Sequence, residues 1–222
     1  MSDAGHRQRL KEKFAAGQGI GLADYELLEL ALTYAIPRKD VKPLAKALLA
    51  KFETLGGVLA ASEAELQSVD GMGASTVIFV QLVYQLALRT RQRQLAEAPV
   101  FTNRVLLLDY LYTLFSGKTR EELHVLYVDA KLKLIKNETV FTGTLTHTAA
   151  APRDILKRAL ELNASGLILA HNHPSGNPAP SADDHTFTAT LQAAAAAMDI
   201  TLHDHLIVGA DNHYSFKGAG KL

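Results

Sequence analysis

The apolar run Gly166-Leu167-Ile168-Leu169-Ala170 leads without a break into His171-Asn172-His173-Pro174-Ser175-Gly176. Such a run suits the end of a buried strand, and strand alternation then sends both imidazoles to one side of the backbone. Asp184, beyond a Pro-rich loop, can close the cluster. Two imidazoles and a carboxylate are a typical three-ligand set for a catalytic zinc, which keeps a further position for water.

The chain has no cysteine, which excludes disulfides and thiolate ligands, so any zinc must be held by His, Asp or Glu. Its 222 residues, 48% of them apolar, allow two modest domains. No run approaches a membrane span, and the start Met1-Ser2-Asp3-Ala4-Gly5 lacks the features of a secretory signal, so a cytoplasmic protein without membrane contact is expected. Net charge is zero, which gives little electrostatic reason for tight nucleic-acid binding. Basic residues do cluster at Arg7, Arg9, Lys11 and Lys13, and again at Arg89, Arg91 and Arg93; both groups read as solvated faces or as a phosphate-tracking patch.

Two grammars divide the chain into expected domains, residues 1–97 and 98–222. The first reads as an all-α bundle. Asp24 is placed to cap the helix from Tyr25, Pro37 ends it, Val41 to Phe52 repeats at helical spacing, and Ser62-Glu63-Ala64-Glu65 is a capping-box pattern. A long amphipathic helix from Ala74 to Arg93 follows, and the polar segment Arg89 to Glu97 reads as a connector between independent units. In the second domain a helix from Thr102 to Phe115 precedes β-rich segments at Glu121 to Asp129 and Leu134 to Thr146. Then come a helix from Pro152, a strand from Gly166, an Ala-rich helix from Ser181, and strands near Ile200 to Val208 and Tyr214 to Phe216. That order implies a mixed sheet with helices packed on it.

Ser181 is a natural N-cap, which puts Asp184 at the third helical position. Asp204 and His205 on a late strand are expected to support the ligands rather than bind metal, and His147, His185, His203 and His213 to be structural or solvent-facing. Ser116-Gly117-Lys118-Thr119 imitates the end of a phosphate-binding loop, but Tyr112 stands where that motif needs glycine and a helix precedes it.

Taken together, His171-x-His173-Pro174 with Ser181-x-x-Asp184 resembles the signature of the JAMM (MPN-plus) metalloproteases. In the form His-Asn-His-Pro-Ser-Gly it resembles the bacterial RadC family. Pro152-Arg153-Asp154, Lys157-Arg158-Ala159-Leu160 and Asp204-His205-Leu206-Ile207-Val208 extend the likeness over Phe101 to Leu222. In the first half Gly5 to Leu10, Tyr25 to Leu30 and Asp40 to Lys46 are similar to that family's N-terminal domain, and Val69-Asp70-Gly71-Met72-Gly73 resembles a helix-hairpin-helix turn.

The resemblance implies an α+β fold: an N-terminal helix-hairpin-helix-like domain, then a JAMM/MPN (cytidine-deaminase-like) mixed sheet flanked by helices. It implies His171, His173 and Asp184 as zinc ligands and a glutamate base on an early strand. Glu121 and Glu122 both open that strand; the family pattern favours Glu121, and only one of the two can face the site. Ser181 is either the family's stabiliser of a tetrahedral intermediate or simply the N-cap. The expected activity is zinc-dependent hydrolysis of a peptide or isopeptide in a protein or peptide substrate. The alternatives are a DNA-binding repair or recombination accessory protein, with weak non-specific contact through Gly71 to Gly73, and a metal-dependent nuclease.

Overall fold

Leu28 and Leu32 lie one helical turn apart, as do Leu44 and Leu48, and all four are buried. They belong to the first of two units into which the chain divides, Met1–Ala87 and Leu88–Leu222. The computed structural model describes residues 3–97, 99–100, 104–143 and 151–222. The helix start expected at Thr102, the strand end expected at Thr146, and His147 lie outside these residues.

The first unit is helical: α1 (Asp3–Gly17), α2 (Asp24–Ala35), α3 (Lys42–Phe52), α4 (Leu55–Ala60), α5 (Glu63–Gln67) and the start of α6 (Ala74–Glu97). Leu32, Ala45, Leu48, Val58, Leu66 and Val77 share its core. At α5 the Ser62 hydroxyl accepts the Glu65 N–H while the Glu65 carboxylate accepts the Ser62 N–H, the reciprocal box read from the sequence. At α2 the expected cap is different. Glu26 reaches back to the Ala23 N–H at 2.9 Å, and Asp24 is the helix's first residue rather than its cap. Between α5 and α6 the chain turns through Gly71, whose φ of 90° only glycine adopts without strain.

Much of the basic cluster of α1 is already engaged. Arg7 donates to the carbonyls of Pro37 and Lys39, Lys13 pairs with Glu26 at 2.7 Å, and Lys11 lies over the Tyr34 ring. In the other group Arg91 pairs with Asp109 and Arg93 with Glu97.

The second unit contains the end of α6, then α7 (Arg104–Phe115), β1 (Glu122–Val128), β2 (Leu134–Thr142), α8 (Pro152–Glu161), β3 (Gly166–Asn172), α9 (Ala182–Ala196), β4 (Thr201–Val208) and β5 (His213–Ser215). The sheet order is β2-β1-β3-β4-β5, with β3 and β4 parallel and the other neighbours antiparallel. One face, with Leu123, Val125, Leu167 and Leu169, packs on Ile155, Phe187 and Leu191 of α8 and α9. The other, with Leu126, Val128, Ile168 and Ala170, packs on Leu107, Leu111 and Leu114 of α7 and on Leu95 of α6. Helices on both faces explain why β3 is apolar without alternation.

One expectation needs refining here. The helix expected to end at Arg93 runs on to Glu97, and Leu95, inside the segment read as a connector, is 2% exposed. Among the described residues no helix is long and apolar enough to cross a membrane.

Candidate metal centre

A parallel pair joined by a helix puts the end of the first strand and the start of the helix at the same edge of the sheet, where such folds hold ligands. Here β3 delivers His171, and the loop after it returns the chain to α9 with Asp184 in its first turn. The loop is tied down by its backbone: His173 N–H donates to Val208 C=O, Gly176 N–H to His173 C=O, and Ala210 N–H to Gly176 C=O. Gly209 admits that approach, since a Cβ there would sit 2.3 Å from the Gly176 oxygen.

His171, His173 and Asp184 form the one His/Cys/Asp/Glu group among the described residues whose donor atoms converge enough to hold a metal ion. His171 Nε2 lies 3.0 Å from His173 Nε2 and 3.3 Å from Asp184 Oδ1, and His173 Nε2 lies 3.7 Å from Asp184 Oδ2. Ligands about 2.0–2.1 Å from a tetrahedral ion stand about 3.3 Å apart, so these spacings fit one ion with little movement.

Proton positions sharpen the point. Thr188 Oγ donates its only proton to the Asp184 carbonyl at 2.5 Å, so it must accept from His205 Nδ1, 2.6 Å away. His205 Nε2 is then a lone pair, and His171 Nδ1–H donates to it at 2.8 Å. That leaves His171 Nε2 unprotonated. His173 Nδ1 must likewise donate, because its partner at 2.8 Å is the Asn177 carbonyl, so a neutral ring there presents Nε2 as a lone pair too. Two imidazole lone pairs and a carboxylate therefore converge on one point, an arrangement that calls for a cation.

Burial holds His171 and His205 in their neutral forms. It pushes His171 down to about 4, even though the Asp184 charge acts the other way. Burial also lowers His205 well below its ordinary value, and this ring stacks on Phe216 with centroids 4.9 Å apart.

Ser181 caps α9 as read: its hydroxyl accepts the Asp184 N–H at 3.1 Å and donates to Asp184 Oδ2 at 2.7 Å. The Ser181 N–H reaches the same oxygen at 2.7 Å. Both interactions leave Asp184 Oδ1 turned toward His171.

The two glutamates part company. Glu122 faces the α7 side, where it pairs with Lys118 at 2.9 Å and meets His124, which packs edge-on against Phe115. The His124 hydrogen bond, with Lys118, holds its carboxyl below the ordinary range. Lys118, the lysine of the phosphate-loop imitation, is thus spent on a carboxylate. Glu121 has the parity of Leu123, on the His171 side of the sheet, and lines a cleft of about 550 Å³ with Pro174 and Ser175.

Asp204, read as support, accepts from His205 N–H, Ser215 Oγ and Lys217 N–H and so anchors β4 rather than a ligand. His213 contacts Tyr112 and Arg104, and His185 lies edge-on to Phe216. Sequence reasoning missed Thr188, one helical turn beyond Asp184 on its own face, and Asn172, whose side chain bridges to the segment before β1.

A family model described as "RadC-like JAB domain" matches residues 101–221. A UPF0758 protein of Ruegeria pomeroyi is 43% identical over 217 residues, covering 98% of this chain and 97% of the relative. A UPF0758 protein of Rhodobacter capsulatus is 44% identical over 213 residues, covering 96% of this chain and 100% of the relative.

Proposed function

We propose that this chain, which belongs to the RadC family and carries its JAB domain at residues 101–221, is a zinc-dependent hydrolase of peptide or isopeptide bonds. The observation that carries the reading is the convergence of His171 Nε2, His173 Nε2 and an Asp184 carboxylate oxygen, with both imidazoles turned by partners on their other nitrogens. Zinc held by such a set supplies Lewis-acid chemistry, acidifying water and polarising a carbonyl.

The chain's own residues do the rest. Glu121 takes a proton from the attacking water and returns it to the leaving amine. Its place in the cleft beside Pro174 and Ser175 supports that role over Glu122, whose carboxylate is committed to Lys118 and His124. Ser181 orients Asp184; stabilising a tetrahedral intermediate would require its hydroxyl to turn away from Oδ2. Among the described residues a single three-ligand centre offers no two-metal clamp, which argues against phosphodiester chemistry. Cleavage of a peptide library, run beside plasmid nicking and with and without chelator, tests the assignment. Chelator-sensitive nicking without peptide cleavage would overturn it.

A second role, weak DNA binding, draws support from the turn at Gly71, which brings backbone close to the start of α6. Binding of this kind should be insensitive to sequence, weaken as salt rises, and fall on Gly71→Val with zinc content unchanged. Binding indifferent to that substitution, in folded protein, would reduce the turn to a connection between helices.

A further inference from the structure

We infer that Asn172 is the positioning residue for Glu121, an inference that rests on the reading of Glu121 as the general base. The antiparallel ladder between β1 and β3 ends at the pair Leu123 and His171. β3 itself ends at Asn172, the His173 N–H turns to Val208 C=O on β4, and Pro174 has no N–H to offer β1. The segment carrying Glu121 is held instead by a side chain. Asn172 Oδ1 accepts the Glu122 N–H at 2.8 Å, and Asn172 Nδ2 donates to the Arg120 C=O at 3.0 Å.

These two groups flank Glu121. In an extended chain the C=O of residue i−1 and the N–H of residue i+1 share one edge, while the groups of residue i face the other. The Glu121 C=O does face the other edge, where it accepts the Gly143 N–H at 2.8 Å. Asn172 thus completes, in place of a β3 peptide, a two-sided grip on the backbone of Glu121. A carboxamide suits the task because it offers an acceptor and a donor in one plane, as a peptide does. Only one orientation of the amide satisfies both partners, and the side chain is 4% exposed, where an unmet polar group would be costly.

Because Asn172 lies between His171 and His173, it couples the base to the ligands through a single residue. Neither of its hydrogen bonds goes to a ligand side chain. Its loss should therefore loosen Glu121 while sparing the metal.

The test uses the full chain as Asn172→Ala and Asn172→Asp, each first checked for folding by thermal melting. Aspartate retains the acceptor for Glu122 but turns a second oxygen toward the Arg120 carbonyl, so it remains informative should the alanine variant fail to fold. Three quantities are read: exchange of the Glu122 amide hydrogen, zinc per chain by elemental analysis, and kcat and KM on the peptide the wild type cleaves best. In Asn172→Ala, amide exchange should quicken about tenfold. Zinc content should equal that of the wild type, and kcat should fall about tenfold or more with KM unchanged. In Asn172→Asp, kcat should fall with a smaller change in exchange. Unchanged exchange, zinc lost in step with activity, or cleavage at the wild-type rate would each overturn the inference alone. A wild-type protein that binds zinc and cleaves no peptide would overturn the hydrolase reading and this inference with it.

Discussion

Nδ1 of His171 lies 2.8 Å from Nε2 of His205, and that contact decides which His171 nitrogen is free to bind. His205 is fully buried and itself oriented by Thr188, which bonds the backbone carbonyl of Asp184. The chain of contacts therefore closes on itself: one ligand residue, through Thr188 and His205, fixes the tautomer of another. Partners of this kind set ligand orientation and basicity.

His171→Ala, His173→Ala or Asp184→Ala should remove bound zinc, because each deletes one of three donors. Glu121→Gln should keep zinc and cut peptide hydrolysis about 100-fold or more, since a base acts chiefly in the transition state. Glu122→Gln should change neither. Elemental analysis and cleavage rates on the same preparations decide it, and an inactive Glu122→Gln beside an active Glu121→Gln would mean that the base lies on the other face of β1.

His205→Leu should leave a folded protein whose zinc affinity is about 10- to 100-fold weaker, because His171 Nδ1–H then has no acceptor there. Thr188→Val, one step further out, should weaken affinity less. Competition against a chelator of known affinity measures both, and the order Thr188 above His205 would contradict the relay.

Away from the metal, Arg158 of α8 grips Glu138 of β2 through Nε at 2.9 Å and a terminal nitrogen at 2.8 Å. The hydrogen bond to Arg158 holds the Glu138 carboxyl down at about 2 from an ordinary 4.5. Between these values the unfolded chain binds the proton and the folded chain does not, so stability rises with pH across that window. The contribution is whole above about pH 4.5 and is lost as pH falls toward 2. Glu138→Gln should flatten this acid limb and cost about 1 kcal/mol at neutral pH, discounted for partial exposure. Urea denaturation midpoints between pH 2.5 and 6 test it; parallel curves for the two proteins would assign the acid limb elsewhere.

The order of helices and strands in the sheet was legible because burial on two faces makes β3 apolar throughout, while half-buried helices keep a period near 3.6. His171, His173, Ser181 and Asp184 were legible because one strand end and one helix start supply all four, so short spacings carry the geometry. Thr188 and Asn172 were not, since their partners, His205 and the backbone around Glu121, come from strands remote in sequence. Asp24 failed as a cap for a local reason: Glu26, three residues past Ala23, reaches the same end of the helix.

The segment Arg89 to Glu97, read from sequence as a connector, carries the last prediction. It is polar at nearly every position because helix α6 shows water most of its surface there, yet Leu95 is 2% exposed and packs with Leu107, Leu111 and Ile168 beneath the sheet. A fragment beginning at Val100 keeps every strand and the metal group but discards Leu95. Truncating a buried leucine to alanine costs about 2–5 kcal/mol, a large part of a domain's net stability. Residues 88–222 should therefore fold and bind zinc with a melting temperature above that of residues 100–222, and Leu95→Ala in the longer fragment should bring the two close together. Equal melting of both fragments, with Leu95→Ala silent, would show that the end of α6 adds nothing to this core and that the segment acts as the connector its composition implied.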